Sequence, residues 1–295
     1  MPFRTPKLVV ALLLSLLAAP VSALQLEASV KPLQLVAAAL LEGISEPGLL
    51  VPPEASPHHY ALKPSDMRDL ARADLVVWVG PELELFLVKP LQQTDARLLQ
   101  LMDGDPGASM AAEDHHEHEG GHHHEVDTHL WMDPVLMLEA AQQMRDALTE
   151  IAPEQGPALN ANFERFAAAL MAKDRELRQR LSPLADRGFF VFHDAYGRFV
   201  SHYGLRQLGY FTVDPGRQPG ARHLSEIRGQ LQEKAAVCVF SEPQFRSAVV
   251  DAVTEGTGVR HGELDPLARN ITPGPDAYLQ YLDALAGEFE RCLKP

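Results

Sequence analysis

Short apolar runs alternate with amphipathic stretches in two parts of this chain, and a stretch of nearly fifty residues with helical periodicity alone lies between them. The first part reads as a strand over 26–30, a helix over 32–41 and a short strand over 48–51 that runs into Pro52 and Pro53. A helix then starts at Ser65, a candidate N-cap, with Met67, Leu70 and Ala71 on one face. Residues 74–79 (DLVVWV) form a continuous apolar strand of the kind buried on both faces, closed by Gly80-Pro81. A helical turn over 82–88 and a strand over 98–101 complete this part.

From Asp133-Pro134 the period is helical. Asp133 suits the N-cap and Pro134 the first helical position. One helix runs to about residue 151, and a second covers 157–181 with Phe163, Phe166, Ala167, Leu170, Leu177 and Leu181 on one face. At 1.5 Å per residue the second is a rod of roughly 37 Å, suited to connect two lobes rigidly. The alternation then resumes, with strands over 189–193, 207–213, 236–240 and 258–263. Between and after them come helices over 195–203, 225–232 (Ser225 as N-cap, Ile227 and Leu231 inward), 245–255 and 276–292, and a cleft-side loop over 214–224. Strand–helix alternation calls for crossover connections and a parallel sheet, so the fold class is α/β: two lobes with mostly parallel sheets joined by a long helix. The division expected is an N-terminal lobe over 24–133, a helical segment over 134–181 and a C-terminal lobe over 182–295. No internal sequence repeat is evident.

Two segments stand outside this pattern. Residues 1–23 have a basic start (Arg4, Lys7), an apolar run over 8–19 and a Val-Ser-Ala cleavage site, which is a secretory signal peptide too short in its apolar run to span a membrane. No cysteine follows the cleavage site, so the exported chain is expected to be soluble and without a lipid anchor, in the periplasm. Residues 103–127 lack recurring apolar positions and hold His115, His116, His118, His122, His123 and His124 among acids and glycines, a loop whose imidazoles are candidates for weak auxiliary metal binding at 113–127.

Composition adds two constraints. Without the first 23 residues the chain carries 24 basic and 40 acidic residues, a net charge of −16. That disfavours nucleic acid or anionic lipid as a partner and is compatible with a cation. Its two cysteines, Cys238 and Cys292, lack the C-x-x-C spacing of a thiolate metal pair and are expected to form a disulfide in an oxidising compartment.

The candidate chemistry lies in three histidines. His193 ends the apolar run FFVFH, where polarity changes abruptly. His58 lies in SPHHYALKPSD and His129 in THLWMDP, each at a junction before a helix. In open α/β sheets such junctions converge on the cleft beyond the strands' carboxyl ends. Three neutral imidazoles form a good Zn²⁺ set, leaving one tetrahedral place for a carboxylate or water, and Asp265 in LDPL is a candidate for it. Hard cations would require mainly oxygen. The combination SPHHYALKPSD, ADLVVWVGPELE, THLWMDP, FHDAYGRF, SEPQF and LDPL resembles the metal-binding proteins of bacterial ABC importers for zinc and manganese, and within them the zinc-specific periplasmic subfamily.

That resemblance implies metal in the cleft between two (β/α) lobes, held by His58, His129 and His193. Asp265 then stands at an acidic position used directly or through water. An inner-membrane ABC permease is the implied partner, with the carrier itself a monomer and not an enzyme. The His-rich loop and the imidazole at His193 both favour zinc over manganese. Where some zinc members carry a glutamate ligand before the first histidine, this chain has Pro57, so the fourth place stays open among water, Asp265 and His59. A secreted zinc hydrolase is the competing class, with Glu242 or Asp194 as its base; the plainer roles are, for Asp194, a partner or helix cap after His193 and, for Glu242, an acceptor for a ligand imidazole. His202, His223 and His261 read as ordinary histidines, and Trp78 and Trp131 as core or cleft wall.

Overall fold

A computed structural model describes residues 24–102, 127–245 and 248–294. The leader expected over 1–23 and the six histidines of the loop lie outside them. In the first lobe β1 (Leu26–Ala28), β2 (Gly48–Leu49), β3 (Leu75–Trp78) and β4 (Arg97–Gln100) form one parallel sheet in the order β2-β1-β3-β4. In the second, β5 (Gly188–His193), β6 (Arg206–Thr212), β7 (Cys238–Ser241) and β8 (Arg260–Glu263) form another parallel sheet in the order β6-β5-β7-β8. The two orders are the same pattern, a structural repeat without a sequence repeat. Chain order reverses beside β1 and beside β5, and an α/β sheet offers its binding crevice at such a switch point.

Each sheet buries both faces, which is why its central strands are unbroken apolar runs. Leu75 and Val77 point to one cluster and Val76 and Trp78 to another, as the two-residue period of a strand requires. In β5, Phe189 and Val191 face inward and Phe190 and Phe192 outward. The inward faces of both sheets join a single core with α1 (Lys31–Leu40) and the helices that follow the first sheet. The two outward faces close small separate clusters, one of them under the short helices α2 (Pro64–Leu70) and α3 (Val88–Leu91).

The connector is α4 (Pro134–Ile151) followed by α5 (Gly156–Leu181). Asp133 caps α4 through its side chain, which accepts from the Val135 N–H at 2.8 Å. The 26 residues of α5 span about 39 Å. Its Asn162 amide donates to the carbonyls of Leu40 and Glu42, satisfying the open end of α1. Lys173 and Arg180 pair with Asp283 on α9 (Ala277–Leu293). Cys238 and Cys292 are disulfide-bonded, Cα to Cα 5.9 Å, and tie α9 to the central strand β7.

Helix starts depart most from expectation. The cap of α2 is Lys63, not Ser65: the Asp66 carboxylate, inside the first turn, reaches back to accept the Lys63 N–H at 2.7 Å. In the second lobe α6 (Gly197–Tyr203) starts two residues later than expected, and α7 (Ala221–Gln232) starts four residues earlier, behind Gly220 as an N-cap that offers no side-chain bond. The segment expected as a loop over 214–224 therefore shortens to 214–220. The helix expected over 245–255 is α8 (Ala248–Thr254).

Candidate metal centre

Each of the three histidines arrives by a different route. His193 is the last residue of β5, at the switch point of the second sheet. His129 precedes a single helical turn, Leu130–Met132, that leads into the Asp133 cap. His58 lies in the loop after β2, where its N–H donates to Ser56 Oγ at 3.3 Å. The rings meet at 5.5 Å (His58 to His129), 5.2 Å (His58 to His193) and 4.9 Å (His129 to His193) between centroids, all steeply tilted. One ring nitrogen from each lies within 4.8 Å of the others. Around a tetrahedral ion with bonds near 2.05 Å the nitrogens would stand roughly 3.4 Å apart, so small inward ring movements complete the site.

Each ring has a nitrogen free for a metal, and His193 has both, since its Nδ1 is buried without a partner too. Nε2 of His58, of His129 and of His193 is buried with no hydrogen-bond partner. Buried polar atoms without partners are rare, and three converging on one point are a lone-pair set waiting for a cation. His129 Nδ1 lies 2.9 Å from Asp127 Oδ1, which also accepts the His129 backbone N–H at 3.0 Å. Burial alone would raise the Asp127 carboxyl, but the His129 bonds and Arg198 outweigh it and hold it below the usual carboxylate range. The His58 imidazole is pushed down to about 3 by burial first and by its two histidine neighbours second. Burial likewise lowers His129, with Asp127 opposing. Both rings are thus kept neutral, the form that binds metal.

Pro57, Trp131, Pro215, Glu242 and Gln244 line the cavity with the trio. Trp131 stands edge-on to His129 at 5.3 Å and is fully buried. The structure does not bring Asp265 into the set. Its Oδ1 accepts from Gln244 Nε2 at 2.7 Å and from the Leu267 N–H, and its Oδ2 from the Arg269 N–H at 2.6 Å. Those bonds clamp a turn in which Ala268 is held at φ 53°, so the carboxylate is occupied in shaping backbone. His59 faces outward and lies 2.8 Å from Asp214, on the opposite lobe. His202 bonds Asp174 and His223 bonds the Tyr210 carbonyl, so neither approaches the trio. Asp127 went unread in the sequence because it sits at the edge of the His-rich tract, where one more acid carries no signal.

The zinc-uptake complex component A periplasmic family (ZnuA) matches residues 27–292. The chain belongs to that family. It is 44% identical over 287 residues to the high-affinity zinc uptake system protein ZnuA of Yersinia pestis, covering 90% of each chain. It is 38% identical over 284 residues to the corresponding protein of Haemophilus ducreyi, covering 90% of this chain and 92% of that one. Among solved structures, a ZnuA deletion mutant with zinc bound matches with a TM-score of 0.77 at 26% identity, over 93% of this chain and 99% of that one. The two parallel-sheet lobes on a long helix are the family's architecture.

Proposed function

We propose that this chain captures Zn²⁺ between its lobes in the periplasm and delivers it to the permease of an ABC importer. His58, His129 and His193 are the ligands, and a water completes the tetrahedron. The observation that carries the reading is the convergence of three buried, unpartnered imidazole nitrogens in a member of this family. The donor chemistry agrees, since neutral imidazoles suit Zn²⁺ and leave too few oxygens for Mg²⁺ or Ca²⁺. The names of the two sequence relatives above, both high-affinity zinc uptake proteins, support the cargo and the transport role. They favour a carrier over the hydrolase that the same trio could otherwise serve. No helix among the described residues is long and apolar enough to cross a membrane, which fits a free carrier exported by the leader at 1–23.

Calorimetric titration of the metal-free chain with zinc tests this. One tight site is expected, and each of His58→Ala, His129→Ala and His193→Ala should weaken it by more than a hundredfold, beyond what losing an outer partner of a ligand costs. A tight site that survives all three substitutions would end the assignment. Deleting 113–124, which spares Asp127, should remove extra, weaker zinc equivalents and leave the tight one.

A further inference from the structure

Glu242 is a buried acid whose surroundings do not account for it. It directly follows β7, which pairs with β5, so the sheet sets it beside His193 at the same switch point. Its side chain is 1% exposed. Oε1 accepts the Tyr196 hydroxyl at 2.9 Å and stands 3.5 Å from His193 Nδ1. Oε2 is buried with no hydrogen-bond partner, and Glu242 forms part of the cavity wall. Among the described residues its one ion-pair contact is His193; no lysine or arginine answers its charge. Asp127 makes the useful contrast. It occupies the same place relative to His129, on Nδ1, but it is 29% exposed and has Arg198 beside it. A carboxylate buried without a cation is costly, and a fold gains from removing one unless a positive charge arrives from outside.

We propose that Glu242 is a positioning residue and counter-charge for the captured cation, an inference that rests on the zinc-capture reading above. Oε1, 3.5 Å from His193 Nδ1, is placed to accept the N–H of that nitrogen as the ring closes on the ion, which selects the tautomer whose Nε2 lone pair faces the cation. Its negative charge offsets part of the dication's charge in a site whose three ligands are neutral. Tyr196, itself buried and within 3.2 Å of the Leu264 carbonyl, holds the carboxylate at that angle.

The rival is a structural role, with Glu242 serving only to satisfy Tyr196. The two separate in the full chain through Glu242→Gln, Glu242→Asp and Tyr196→Phe. Three quantities are read: zinc affinity against a chromophoric chelator, the melting temperature of the metal-free chain, and the visible absorption of its Co²⁺ form. Glu242→Gln should bind zinc about 10- to 100-fold more weakly and shift the Co²⁺ bands. Its metal-free melting temperature should equal or exceed that of the unaltered chain, because a lone buried charge has gone. Glu242→Asp, which keeps the charge, should fall between the two in affinity, and Tyr196→Phe should lose less than Glu242→Gln. Glu242→Gln binding zinc as tightly as the unaltered chain would overturn the proposal. So would Glu242→Asp no better than Glu242→Gln, or a Tyr196→Phe loss as large. An unaltered chain that binds no zinc would instead defeat the capture reading, and this inference with it.

Discussion

The cleft is joined differently at its base and at its mouth. At the base, Trp131 Nε1 donates to the Pro266 carbonyl at 2.8 Å, and the Tyr278 hydroxyl donates to the Trp131 carbonyl at 2.9 Å. Both bonds are buried, and they lie in a core continuous from β1 to α9. At the mouth the lobes touch through His59 and Asp214 at 2.8 Å and through Gln244 Nε2 to the Pro53 carbonyl at 3.2 Å. The His59 side chain is 57% exposed. Hydrogen bonds of equal length thus carry very different weight, because those at the base also exclude water from large aromatic surfaces while those at the mouth compete with it. The lesson is that the contacts at the mouth can yield locally, while the two lobes keep their relative placement through a shared core.

The largest effects should follow from breaking the base. Trp131→Ala removes a fully buried indole, its bond to the Pro266 carbonyl and the wall behind His129, and should lower unfolding stability by about 3–5 kcal/mol. Denaturant unfolding measures it, and a loss under 1 kcal/mol would mean that the shared core does not hold the lobes. Next comes the disulfide. Reducing Cys238–Cys292 opens a closure of 54 residues and should cost about 4 kcal/mol on the chain-entropy estimate. It should leave zinc stoichiometry unchanged, since the bridge fastens α9 to β7 on the side away from the imidazoles. Lost stoichiometry on reduction would show that the bridge shapes the site.

Much of this was legible because parallel strands buried on both faces leave unbroken apolar runs, as in 74–79 and 189–193, and because the ends of such runs place polar residues at a cleft. His193 was readable for that reason, while His58 and His129 gained their meaning from the motifs around them. What stayed hidden is local hydrogen bonding. Nothing in a composition window says that Asp66 will cap from inside a helix, or that Gly220 will start one bare. Asp265 reads as a ligand candidate by motif, yet Asp before Pro is also a strong turn former, and here its Oδ1 accepts the N–H two residues on. Asp127 bonds a ring only two residues away, yet nothing in an acid-rich tract marks it out, and Glu242, open in the sequence between a base and a histidine partner, takes its place from its distance to a ring nitrogen far away in the chain.

Acid should expose the interior of the site next. A depressed imidazole pKa means that protons bind more weakly than to an ordinary histidine, so they compete with metal only at lower pH. His58, pushed down to about 3, and His129, lowered by burial, therefore should stay available well below pH 6.5. Three ordinary imidazoles would lose about a thousandfold in zinc affinity between pH 7.5 and 5.5. The loss here should fall well short of that in competitive titrations. A full thousandfold loss would show that the rings are not held neutral before metal arrives.

The smallest effect belongs to the mouth, and it should appear in rates before it appears in equilibria. His59→Ala removes an exposed bond to Asp214 worth no more than about 1 kcal/mol, so thermal stability and zinc stoichiometry should barely move. The same bond draws the loop that carries His58 toward the loop of Pro215, which lines the cavity. Gly216 shows how tightly the loops meet, because a Cβ there would stand 2.7 Å from the His59 ring. Breaking the bond should therefore speed zinc release to a chelator a few-fold in stopped flow, and Asp214→Ala should do the same. Adding the second substitution to the first should bring little more, as residues that act through one contact are not additive. Release rates that stay unchanged in both single variants would mean that cargo leaves by another route, and the contrast between a firm base and a yielding mouth would lose its kinetic meaning.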